Sequence, residues 1–140
     1  MSVPLSIRFD EDVLARLRRR AGEVPGATPS GVAQQLIDEG LRMNEFPGVV
    51  FKDGPSGRRA AVVAGPDVWE IITFLQEIDE RGEAAVASAV EVLALPPARV
   101  RVALDYYAAF SAEIDGQVQA AQETSSAAEA AWQRQQALLA

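Results

Sequence analysis

The residues of this chain that could do chemistry are nearly all arginines. Its 140 residues include no cysteine, no histidine and one lysine, Lys52. That composition removes the thiolate nucleophile, the disulfide, the usual general base near neutral pH and the commonest zinc ligand. The carboxylates and hydroxyls that remain show no spacing that suggests a catalytic or metal site. The chain therefore reads as a non-enzyme without metal or cofactor. Arginine does a different job: its planar fork recognises carboxylates, phosphates and the edge of guanine. Arg8 stands in an alternating run, Leu5-Ser6-Ile7-Arg8-Phe9, and Arg16, Arg18, Arg19 and Arg20 form a cluster. Lys52, Arg58 and Arg59 make a second group, and Arg99 with Arg101 a third.

A net charge of −7 argues against nucleic acid, because phosphate neutralisation needs clustered cations. The distribution matters more than the total. From Met1 to Gly22 five arginines face three acids, whereas from Ser111 onward one arginine faces four. A basic front and an acidic back suit a protein with two different partners.

Size and composition bound the class. The length fits one ordinary domain or two very small ones, and an apolar share of 49% is enough for packed cores. No run approaches the roughly 18 to 20 apolar residues of a membrane helix. The N-terminus lacks the layout of a secretion signal. The chain reads as cytoplasmic, with no membrane partner.

The elements that must position these residues follow from periodicity and punctuation. A strand is expected over Pro4 to Phe9, then a helix capped by Asp10 and ending near Ala21-Gly22. A turn-rich connector leads to a second helix, capped by Ser30 or Thr28, that runs to about Asn44 before Pro47 and Gly48 stop it. Val49-Val50-Phe51 and Arg58 to Val63 read as a β-hairpin with a long loop over Lys52 to Gly57. Asp67 caps a helix whose apolar face is Val68, Ile71, Ile72, Leu75 and Ile78. Helices from Glu83 to about Leu93 and from Pro97 to Phe110, joined by Ala94-Leu95-Pro96, are compatible with a helix-turn-helix. The last thirty residues, rich in Ala, Gln, Glu and Ser, read as a frayed tail or as a helix ordered on a partner. The expected fold is mainly α with short β, divided at 1–45, 46–118 and 119–140.

On the first strand Leu5, Ile7 and Phe9 share one face, and Pro4, Ser6 and Arg8 share the other. Its edge is unpaired. The same strand of a second chain would satisfy it and form a two-stranded ribbon that presents Ser6 and Arg8 twice. Such a ribbon fits the major groove, and the N–H groups at Ser30 and Gly31 suit a phosphate. Lys52, Arg58 and Arg59 form a cationic hairpin tip, and Arg99 and Arg101 open the second helix of the helix-turn-helix. Asp105 and many acids accompany them, which suits an assembly fold as well as a DNA reader. Trp69, Phe74, Tyr106 and Tyr107, at helical spacing, read mostly as core. The cluster Arg16 to Arg20 reads as a solvated face, as flanking-phosphate contacts, or as partners for a neighbouring subunit's acids.

The run Leu5-Ser-Ile-Arg-Phe9, then Val13-Leu14, then Thr28-Pro-Ser30 before an apolar helix, resembles the ribbon-helix-helix DNA-binding domain over residues 4 to 44. The resemblance implies base-reading positions at Pro4, Ser6 and Arg8 and a phosphate anchor near Ser30. Pro4 departs from the usual polar choice and weakens reading there. Phe46-Pro-Gly-Val-Val-Phe51, Gly54, Arg58-Arg59, Gly65-Pro-Asp-Val-Trp69, Leu95-Pro-Pro-Ala-Arg-Val100, Tyr106-Tyr107 and Glu113-Ile-Asp115 resemble the bacterial family called domain of unknown function 433, over about residues 46 to 118. That resemblance implies a helix-turn-helix module of the kind found in antitoxins beside small PIN-type nucleases. Together the two imply a type II antitoxin, a homodimer or higher even oligomer, with operator DNA and a cognate ribonuclease toxin as partners. Trp132, Arg134, Leu138 and Leu139 are then the expected toxin-binding residues, with Trp132 as the hydrophobic anchor. The alternatives are a ribbon-helix-helix regulator without a toxin, and an assembly protein that binds no DNA.

Overall fold

The computed structural model describes residues 1–54 and 57–140. Among these the chain forms α1 (Glu11–Glu23), α2 (Pro29–Glu45), β1 (Val49–Gly54), β2 (Gly57–Val62), α3 (Val68–Glu77), α4 (Glu83–Leu93), α5 (Pro97–Ala109) and α6 (Ser111–Leu139). It is mainly helical, with one small antiparallel sheet. It divides into two compact units, Met1–Arg42 and Met43–Ala140. No helix of the described residues is long and apolar enough to cross a membrane.

In the N-terminal unit, Asp10 stands at the N-cap position of α1 with extended dihedrals, but its side chain makes no cap bond. Its carbonyl accepts from the Leu14 N–H at 3.0 Å. Glu11 and Asp12 in the first turn and Arg20 in the last suit the helix dipole. The connector turns at Gly26, whose φ of +77° favours glycine. Of the two expected caps for α2, Thr28 takes the role: its Oγ1 accepts from the Gly31 N–H at 3.1 Å. Residues 1–10 form no strand, because among the described residues their backbone has no strand to pair with.

In the C-terminal unit, β1 pairs with β2 from Val49↔Val62 through Gly54↔Gly57. The expected long loop is therefore too long. Lys52 and Asp53 belong to β1, opposite Arg59 and Arg58: Asp53 pairs with Arg58 across the ladder, and the like charges of Lys52 and Arg59 are offset by Asp67, which both contact. Pro55 and Ser56 of the expected turn lie outside the described residues. Beyond β2 the chain turns at Ala64 and packs tightly at Gly65, where a Cβ would meet Val62 Cγ2 at 2.6 Å and Leu95 Cδ2 at 2.9 Å.

The core of this unit joins Val49 and Val62 to Val68, Ile71, Val100 and Tyr106. The buried Tyr106 ring meets Phe46 edge-on at 5.5 Å and Phe110 at 4.7 Å, and its hydroxyl donates to Glu113 at 2.7 Å. Trp69, Phe74 and Tyr107 pack partly buried against the same cluster. Helix α4 ends on left-handed Ala94, the buried Leu95 anchors the joint, and α5 opens with Pro97 in its first turn, where no N–H is needed. α6 is one continuous helix of 29 residues, about 43 Å long. The expected boundary at 118/119 falls inside it. Ile114 and Val118 are its buried residues, and beyond Ala121 no side chain is buried.

Candidate nucleic-acid and partner interfaces

The N-terminal unit cannot cover its own apolar residues. Leu5, Ile7 and Phe9 are 82%, 50% and 40% exposed, while only Ala21 and Val32 among its apolar side chains are buried. Phe9, Val13, Leu17, Leu36 and Ile37 line an open groove of about 410 Å³ between α1 and α2, with Arg16 and Arg20 beside it. An exposed apolar surface of this kind marks an interaction site. Ser6 and Arg8 alternate with the exposed apolar residues, and Arg8 has no ion pair among the described residues.

Arg16, Arg18 and Arg19 likewise lack ion pairs among the described residues, whereas Arg20 contacts Glu23 at 3.4 Å. At the start of α2 the expectation of free amides at both Ser30 and Gly31 is corrected. The Gly31 N–H is committed to Thr28, so Ser30 alone offers its amide and an exposed hydroxyl there. Six arginines balance six acids in this unit, while the C-terminal unit has seven cations against fourteen acids and so carries the whole net charge of −7.

The expected cations of the C-terminal unit are mostly engaged with its own acids. Arg59 Nε donates to Asp67 Oδ2 at 2.6 Å, Lys52 Nζ lies 3.1 Å from Oδ1, and Trp69 Nε1 donates to Oδ2 at 3.1 Å. Burial pushes the Asp67 carboxyl up, but the hydrogen bonds and charges of Arg59 and Lys52 together outweigh it and hold the carboxyl below the ordinary aspartate range. Arg58 pairs with Asp53 at 3.5 Å. Arg101 makes a two-pronged contact with Glu83 at 2.6 and 3.2 Å, which lowers the Glu83 carboxyl and raises the guanidinium. Arg99 makes no ion pair among the described residues, and its guanidinium lies over the backbone of Gly48, where a Cβ would meet Nη1 at 2.7 Å. The exposed positions of α5 are Pro97, Ala98, Arg101, Asp105, Ala108 and Ala109, with Arg101 the one cation.

In the sequence Asp67 reads only as a helix cap. It occupies that position, yet its carboxylate makes no cap bond and serves as the buried counter-charge of the hairpin. Two cations on the preceding strands were the available signal. Gly116, Ala120, Thr124 and Ala128, at four-residue spacing on α6, border an open groove of about 830 Å³, a row to which the tail-like composition gives no pointer. At the far end of α6, Trp132, Leu138 and Leu139 are exposed, and Arg134 has no ion pair among the described residues.

No protein-family model, no curated protein and no solved structure matches this chain.

Proposed function

We propose that this protein is a homodimeric antitoxin of the ribbon-helix-helix kind, which binds operator DNA through its N-terminal unit and restrains a PIN-type ribonuclease through the end of α6. One observation carries the reading: alternating Leu5, Ile7 and Phe9 stand exposed with no strand neighbour among the described residues, and Ser6 and Arg8 occupy the alternate positions. Pairing residues 4–9 with the same segment of a second chain buries those side chains, satisfies the backbone and sets Ser6 and Arg8 on one outer face. Arg8, without an ion pair among the described residues, reads guanine in the major groove. Ser30 anchors a flanking phosphate.

The C-terminal unit is an assembly and capture module in this reading. Lys52, Arg58, Arg59 and Arg101 are tied to Asp67, Asp53 and Glu83, which leaves little free positive charge for phosphates. The exposed end of α6 offers Trp132, Leu138 and Leu139 as apolar anchors and Arg134 as a partner for the toxin's metal-binding acids. Co-purification with the product of the neighbouring reading frame, together with operator binding by the full chain, tests the two halves. A chain that captures no partner and binds no operator overturns the reading.

A further inference from the structure

On α6, Gly116, Ala120, Thr124 and Ala128 recur at every fourth residue and form one row along the helix. They make one wall of the groove of about 830 Å³, and Arg59, Asp67, Trp69 and Glu70 make the other. A row of such small side chains allows a second helix to approach closely. Gly116 strengthens the point. A Cβ there would meet no atom within 4 Å, so packing inside the chain does not require glycine, and glycine in a helix interior is less stable than alanine. Gly116 leaves that wall open to a helix approaching from outside the chain.

The groove also specifies the charge of that body. Asp67, Glu70 and Glu113 line it with a single cation, Arg59, which is already paired with Asp67. The fitting occupant is a helix that carries a cation beside large apolar side chains. The end of α6 answers this description: Arg134 is its one cation, next to exposed Trp132, Leu138 and Leu139. Because α6 is continuous, Arg134 lies about 9 Å along the axis beyond Ala128 and cannot enter its own groove.

We propose that the C-terminal end of α6 from a second copy of this chain seats antiparallel in the groove, with the contact repeated by two-fold symmetry. Trp132 of each copy covers the Ala120–Thr124 stretch of the other, and Arg134 reaches Glu70 and Glu113. This pairing uses residues of the C-terminal unit alone, so it stands whether or not the DNA and toxin reading holds. If that reading holds, the toxin and the second copy compete for Trp132 and Arg134.

The absence of cysteine from the sequence makes the test clean. Full-length Ala120→Cys and Ala131→Cys chains are mixed in equal amounts and oxidised mildly. These positions face each other in the antiparallel pair but lie about 16 Å apart on one helix. The expected result is a mixed disulfide well above its statistical share over the two like-with-like disulfides. Adding Gly116→Leu to both chains fills space that is open within the chain, so thermal melting is retained and the excess disappears. A mixed disulfide at or below its statistical share overturns the proposal, and so does an excess that Gly116→Leu leaves unchanged. Failure of operator binding or toxin capture moves neither result.

Discussion

Arg59 Nε donates to Asp67 Oδ2 at 2.6 Å, and the two side chains are 17% and 3% exposed. Lys52, from the facing strand, reaches the other carboxylate oxygen, so both strands of the hairpin are tied to the start of α3 through one aspartate. The hairpin cations thus act inside the fold.

Asp67→Asn keeps the shape of the side chain and removes its charge. Breaking a buried pair by neutralising one partner costs about 3 kcal/mol here, the low end of the usual range because the Lys52 side chain is half exposed. Chemical denaturation of the full chain reads this loss. Binding of operator DNA by the N-terminal unit is expected to survive it.

The same aspartate sets an acid limit. Its folded carboxyl is held below the ordinary value of 3.8, so the cluster's stabilisation is fully present above that value and is lost as pH falls through the lower folded value. Stability against pH is expected to drop below about pH 3.8 in the native chain and to be flatter there in Asp67→Asn. Equilibrium urea unfolding across that range checks the slope.

Ile7 is central to the face that the proposed dimer buries. Ile7→Ala is expected to weaken assembly by about 2 kcal/mol per protomer, as for an apolar side chain that loses most of its burial. The readout is the concentration dependence of thermal melting, which steepens when assembly is the weaker link. An unchanged dependence places the interface elsewhere.

Deleting residues 122 to 140 removes only side chains that are not buried. Measured at a concentration too low for α6 pairing, the stability of the remaining chain is expected to change by no more than about 0.5 kcal/mol. Toxin capture is expected to vanish while operator binding persists. Retained capture would move the interface to the hairpin and α3–α5.

Helix ends were legible in the sequence where the punctuation is local. Pro29, Gly82 and Pro97 stand at helix starts, and α4 and α5 begin where those residues direct. The hairpin was legible in kind but not in length. Lys52 and Asp53 lie in a turn-rich stretch, yet Arg58 across the ladder pairs with Asp53, and Asp67 holds Lys52 and Arg59 side by side. The role of Asp67 was out of reach, because a counter-charge is defined by which distant cations arrive beside it. The small-residue row on α6 was present in plain sight but was masked by the segment's tail-like composition. The strand expected at Pro4 to Phe9 does not form among the described residues; in the proposed dimer a second chain supplies its neighbour.

The most direct test of the central claim is equilibrium binding of the full chain to DNA from upstream of its own reading frame, measured over a salt series. A ribbon that reads DNA through Arg8 gives specific binding that weakens steeply with salt, and a loss of about 1 to 3 kcal/mol in Arg8→Ala with assembly intact. Absence of binding at low salt, or an Arg8→Ala chain that binds as tightly as the native one, contradicts it.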